Sequence, residues 1–125
     1  MQALSIQLPD GAPLAPRAWA STSTFERAQG WLKRERVDDG EGLLIVPCNS
    51  IHTFGMRFAI DVAFLDRRGC VLKLAPQVRP GRLAWGPALG LLLPWRVQAL
   101  ELPAGTLATC GLSVGQTLRI ERRDA

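Results

Sequence analysis

Arg57-Phe58-Ala59-Ile60-Asp61-Val62-Ala63-Phe64-Leu65-Asp66-Arg67-Arg68-Gly69-Cys70-Val71-Leu72-Lys73-Leu74 is the stretch that decides the fold. Successive side chains of a β-strand point to opposite faces. Residues 57–65 therefore sort Phe58, Ile60, Val62 and Phe64 onto one face and Arg57, Ala59, Asp61, Ala63 and Leu65 onto the other. Asp66-Arg67-Arg68-Gly69 reads as a hairpin turn in which Gly69 supplies positive φ, and residues 70–74 return as the partner strand.

Outward from this hairpin, the period of two recurs. Leu4, Ile6 and Leu8 alternate with Ser5 and Gln7 ahead of an Asp10-Gly11 turn, which predicts a first strand. The apolar run Gly42-Leu43-Leu44-Ile45-Val46 stops at Pro47 like a buried strand entering a loop, here residues 47–56. Further strands are predicted near 82–85, 96–102 and 116–122, separated by Pro80-Gly81, Pro103-Ala104-Gly105 and residues 111–115. Only Phe25, Ala28, Trp31 and Leu32 recur at helical spacing. With Ser23 or Thr24 as N-cap they predict one helix over 24–36, weakened by Gly30 and closed by Asp38-Asp39-Gly40. The expected fold is mainly β, a β-rich α+β chain forming a single antiparallel barrel-like or half-open barrel domain over residues 1–125.

A chain of 125 residues buries one core without staples, and 47% apolar against 21% charged residues is a globular balance. The net charge of +4 comes mostly from scattered arginines, with Lys33 and Lys73 the only lysines. No basic run with interleaved aromatics appears, so no nucleic-acid partner is expected. Cys48, Cys70 and Cys110 form an odd set without a Cys-x-x-Cys pair, which points to a reducing compartment. The start lacks the basic and apolar regions of a signal peptide. The longest apolar stretch, residues 88–95, is far shorter than the roughly 20 residues of a membrane span. A soluble, cytoplasmic chain is expected.

Asp61 is unusual inside a strand, and its face neighbours Ala59 and Ala63 leave space beside it. Glu101 repeats the device, sharing its face with Ala99 while Leu100 and Leu102 point away. If their strands are neighbours, the two carboxylates line a polar cleft, with Arg57, Arg79 or Arg96 balancing the charge. Alternatively each accepts backbone amides and fixes the path of a loop. Cys48 and His52 with Asp61 supply a thiol, a base and an orienter, the ingredients of nucleophilic catalysis. Cys48, His52, Cys70 and Cys110 suffice in number for a zinc site, but the paired spacings of such sites are missing, and no metal or other cofactor is expected. The run from Ala88 to Trp95 is too rich in Gly and Pro to extend a strand; it serves as a core lid or as an exposed apolar lip.

The residues from Pro47 to Asp66, with Gly69-Cys70-Val71, Val78-Arg79-Pro80, Ala99-Leu100-Glu101-Leu102-Pro103-Ala104-Gly105 and Gly115, resemble the signature of the bacterial and archaeal family named domain of unknown function 192, over about residues 24–121. Met56, Asp61, Phe64, Asp66, Glu101 and Gly105 match the family most broadly. Cys48 and His52 resemble one of its subgroups, and the apolar run at Leu89 to Leu93 departs from its usual pattern. The resemblance implies a compact, mostly β fold and no substrate, cofactor or reaction. The expected function is a non-catalytic ligand- or partner-binding module with a polar cleft near residues 47–61 and Glu101. Its contact residues would be Asn49, His52, Met56, Arg57, Asp61 and Glu101. Competing expectations are a thiol-dependent enzyme using Cys48, His52 and Asp61, and a metal-binding protein. The partner is a small molecule or a protein, and Leu89, Leu91, Leu93 and Trp95 offer a route to self-association.

Overall fold

The computed structural model describes residues 1–21 and 31–123. Nine strands follow in chain order: β1 (Gln2–Gln7), β2 (Pro13–Ser21), β3 (Glu41–Ile45), β4 (Ser50–His52), β5 (Ile60–Asp66), β6 (Val71–Val78), β7 (Leu83–Trp85), β8 (Val97–Pro103) and β9 (Arg119–Arg122). Among the described residues there are two short helices, α1 (Leu89–Leu92), continued by a 3-10 turn over Pro94–Arg96, and α2 (Thr106–Cys110). The helix expected over 24–36 falls mostly outside the described residues. Of its apolar positions, Trp31 is buried, with its ring tilted against Phe58 at 6.2 Å.

Seven strands form one mixed sheet in the order β6-β5-β8-β3-β2-β1-β9, and β4 and β7 form a separate ribbon. The sheet does not close into a barrel, and β2–β3 is a parallel pair within an otherwise antiparallel ladder. At one end only, a Cys70–Thr117 bridge draws the edge strand β6 toward the segment leading into β9. The expected hairpin is present: Gly69 has a φ of 92°, donates to the Asp66 carbonyl, and stands where a side chain would strike the Leu118 carbonyl.

β2 carries Pro13 and Pro16, which sequence patterning reads as breakers. Its pairing with β1 shifts between Leu4↔Ala18 and Ile6↔Ala15, so a bulge takes up Pro16 where a ladder amide is not needed. β5 and β8 are interior strands, buried on both faces. One face packs Leu4, Ile6, Leu14, Leu44, Ala63, Leu65, Leu100 and Leu102 against Leu107, Leu112 and Leu118. The other packs Leu43, Ile45, Ile60, Val62, Phe64, Val97 and Ala99 against Trp31, Ile51, Met56 and Ala84. The β4–β7 ribbon thus lies over the second face, with Ile51 and Ala84 turned inward.

Candidate functional site

Asp61 and Glu101 are on adjacent strands but on opposite faces of the sheet. Residues directly opposite in an antiparallel pair share a face, and β5 pairs with β8 so that Val62 faces Glu101 while Asp61 faces Leu102. Both carboxylates have no solvent exposure. The common polar cleft expected from their matching small neighbours is therefore not formed: one residue of strand offset separates them by the thickness of the sheet.

Asp61 instead ties three elements together. One of its oxygens accepts the Gln77 amide at 2.9 Å and the other accepts the Leu107 amide at 2.8 Å. Gln77 lies in a bulge of β6 between the Ile60↔Val78 and Val62↔Ala75 pairs and has a φ of 54°, which turns its N–H out of the ladder. Leu107 belongs to the first turn of α2, whose amides have no helical acceptors. The small neighbours of Asp61 make room for these backbone donors. Glu101 lies across from Leu43 and Val62, within the face covered by Met56 and the ribbon.

Of the other expected contact residues, Met56 is a core side chain. Arg57 is exposed and sits 3.8 Å from Glu35. Asn49 is half-buried and fills space that side chains at Gly86 and Gly90 would occupy, while its carbonyl accepts the Gly86 amide at 2.7 Å. Cys48 packs against the second core and directs its thiol to the Ser50 carbonyl at 3.0 Å. His52 stacks on Phe54 with ring centroids 5.2 Å apart. Asp61 is across the sheet from this side and cannot orient the imidazole, so the expected thiol, base and carboxylate are not assembled into a relay. Among the described residues no group of three or more His, Cys, Asp and Glu is placed to hold a metal. Cys70 lies beside Gly115 and Cys110 in α2, both away from Cys48.

What reaches solvent is the outer side of the ribbon. The register Ser50↔Trp85, Ile51↔Ala84 and His52↔Leu83 turns Ile51 and Ala84 into the core and leaves Leu83 and Trp85 more than half exposed, next to half-buried His52 and exposed Phe54. Thr53 fixes this arrangement. It is fully buried; its hydroxyl donates to the Arg79 carbonyl at 2.6 Å and accepts the Arg82 amide at 2.9 Å, and its backbone exchanges bonds with Arg82 and Gly81. Beside the ribbon a hollow of about 350 Å³ is lined by Lys73, Pro76, Arg79, Arg82, Leu83 and Trp85. A larger hollow of about 580 Å³ lies between β2 and α2, where Arg17 donates to the Asp39 carbonyl, Thr106 to the Pro103 carbonyl and Thr109 to the Thr106 carbonyl.

Sequence reasoning overlooked this face although a signal exists. From residue 67 to residue 100 the chain has no Asp or Glu, yet it carries Arg67, Arg68, Lys73, Arg79, Arg82 and Arg96 together with Trp85 and Trp95.

An open mixed β-sheet with a two-stranded ribbon over one face and an internal Asp61 clamp is the class of protein defined here. The chain belongs to the DUF192 family, described as Uncharacterized ACR, whose sequence profile matches residues 8–120. The match begins ahead of β2, earlier than the motifs alone indicate. A Novosphingobium aromaticivorans protein of unknown function is 19% identical, with a TM-score of 0.70 over 94% of this chain and 83% of its own. A Sinorhizobium meliloti protein provisionally called a transcription regulator is 17% identical, with a TM-score of 0.71 over 94% of this chain and 92% of its own. At such identities the likeness shows the fold alone. No curated protein matches the chain.

Proposed function

We propose that this chain is a non-catalytic binding module whose contact surface is the outer side of the β4–β7 ribbon and the cationic hollow beside it, taking an anionic ligand or partner group with an apolar body. The observation that carries this reading is the juxtaposition of Leu83 and Trp85, both more than half exposed, with Lys73, Arg79 and Arg82 around one hollow of ligand size. Exposed aromatics over a rigid base offer contact area at low entropic cost, and the cations orient the anionic end. Thr53 supplies the rigidity by fixing the loop that carries Arg79 and Arg82. Residues 47–61 remain part of the site through His52 and Phe54, whereas Asp61 and Glu101 act from the interior.

Amide chemical-shift mapping with a small anionic aromatic probe such as indole-3-acetate tests the proposal. Perturbations are expected at His52, Phe54, Arg82, Leu83 and Trp85. Shifts clustered instead around Arg17, Thr106 and Cys110, or around Cys48 with chemical turnover of a thiol-reactive ester, would overturn it.

A further inference from the structure

We propose that α1 and the arginine groove beside it dock onto the surface of an anionic lipid bilayer. Leu91 and Leu92 would enter the acyl boundary, with Arg68 and Arg96 at the level of the lipid phosphates. The proposal rests on the reading of the ribbon side as the contact face, of which α1 is the continuation: Trp85 at the end of β7 is followed by Gly86, bonded to Asn49, and the Asn49 side chain packs against Gly90.

Three observations converge. Leu91 is 71% and Leu92 80% exposed, with Trp95 at 55%, so adjacent large apolar side chains stand out from the surface rather than line a cavity. Buried Gly90, against Asn49, seats the inner side of α1, and the two residues after it, Leu91 and Leu92, point outward. Next to α1 lies a groove of about 420 Å³ lined by Asp66, Arg67, Arg68, Leu89 and Arg96. In it, Asp66 is engaged by the Arg68 and Cys70 amides at 2.8 and 2.9 Å, and Arg67 donates to the Trp95 carbonyl at 3.0 Å. Arg68 and Arg96 form no ion pair among the described residues.

Charge complementarity selects the occupant. Asp66 is the one carboxylate lining this groove and is held by the Arg68 and Cys70 amides, while residues 67–100 add six cations and no acidic side chain, so a second copy related by a two-fold axis would oppose a net excess of like charge around the leucines. A convex Leu-Leu tip needs no shaped pocket in a fluid layer, and Leu, Trp and Arg together are the residue types of an interfacial anchor that lies on a membrane without spanning it. Each arginine near an anionic surface contributes about fivefold in affinity.

The test is co-sedimentation of the full chain with vesicles of phosphatidylcholine alone and of phosphatidylcholine with about 30% phosphatidylglycerol. The expected result is binding to the anionic vesicles at least about tenfold tighter than to neutral ones, lost near 0.5 M salt. Leu91→Ser with Leu92→Ser is expected to weaken it by at least about tenfold, and Arg68→Gln with Arg96→Gln by a similar factor, with the unfolding midpoint of each variant unchanged. Should the leucine pair variant lower that midpoint, Leu92→Ser alone, at the most exposed site, supplies the comparison.

Binding that ignores the leucines would be nonspecific attraction of a basic chain and would overturn the proposal. So would inorganic phosphate binding without sedimentation, or self-association that disappears in the leucine variant without vesicle binding. If vesicles fail to bind while indole-3-acetate still perturbs Leu83 and Trp85, the bilayer falls and the ribbon-face reading stands. Failure of both removes the contact face altogether.

Discussion

Replacing Asp61 by Asn isolates what the buried carboxylate does. Two amides, from Gln77 at 2.9 Å and Leu107 at 2.8 Å, converge on separate oxygens of a side chain with no solvent exposure. Asparagine retains one acceptor oxygen and turns an NH2 group toward the other donor, so one buried N–H loses its acceptor. That costs about 1–3 kcal/mol, and the remaining bond loses roughly 1 kcal/mol of the advantage a carboxylate has as acceptor. The expected loss is about 3 kcal/mol, and Asp61→Ala should cost somewhat more, because both amides are then abandoned. Urea unfolding followed by tryptophan fluorescence measures it, with an unchanged slope as the sign that the native fold persists. Amide exchange should accelerate selectively at Gln77 and Leu107. An Asn variant within about 0.5 kcal/mol of the wild type, or exchange accelerated elsewhere, would refute the clamp.

Thr53→Val removes the hydroxyl shared by the Arg79 carbonyl and the Arg82 amide; a loss of about 2 kcal/mol in urea unfolding is expected, with mobility of residues 79–82 raised in amide relaxation. Arg34 holds Glu41 through two bonds of 2.7 and 2.8 Å, and these, with the Asp38 amide and against the opposing effect of burial, keep the Glu41 carboxyl below its usual range. A carboxylate depressed in the folded state stabilises fully above its ordinary titration range and loses that contribution as pH falls through its folded value. Glu41→Gln should therefore cost about 1 kcal/mol at neutral pH and converge on the wild type in acid, measured by unfolding across pH. Gly90→Ala places a methyl group where the Asn49 side chain packs; displacement of α1 in a crystal structure and a loss of about 1–3 kcal/mol are expected.

Much of the fold is legible in the sequence because alternation is strong where both faces of a strand are assigned. The hairpin around Gly69, both faces of β5 and the parity of β8 are read correctly from residues 57–74 and 96–102. β2 is hidden because Pro13 and Pro16 mimic a loop, and only pairing with β1 shows that a bulge takes up the second. The relation of Asp61 to Glu101 depends on long-range register: each strand states which residues share a face, but only the Val62↔Glu101 pairing across the sheet decides whether two such faces coincide. The alternative in which a carboxylate pins backbone is the one that holds for Asp61. Of the two roles open to residues 88–95, the exposed lip is the one that Leu91, Leu92 and Trp95 take, and β7 falls on the strand expected near 82–85, whereas β4 lies inside the stretch read as a loop, since three residues carry no resolvable period.

The most direct measurement of the central claim is the affinity of the fluorescent anionic aromatic probe 8-anilinonaphthalene-1-sulfonate for the wild type, for Leu83→Ser with Trp85→Ser, and for Cys48→Ala. A binding module using the ribbon face predicts about tenfold weaker binding in the Leu83 and Trp85 variant, with folding stability within about 1 kcal/mol of the wild type, and unchanged binding in the Cys48 variant. Binding that survives loss of Leu83 and Trp85 but falls with Cys48 would contradict the account.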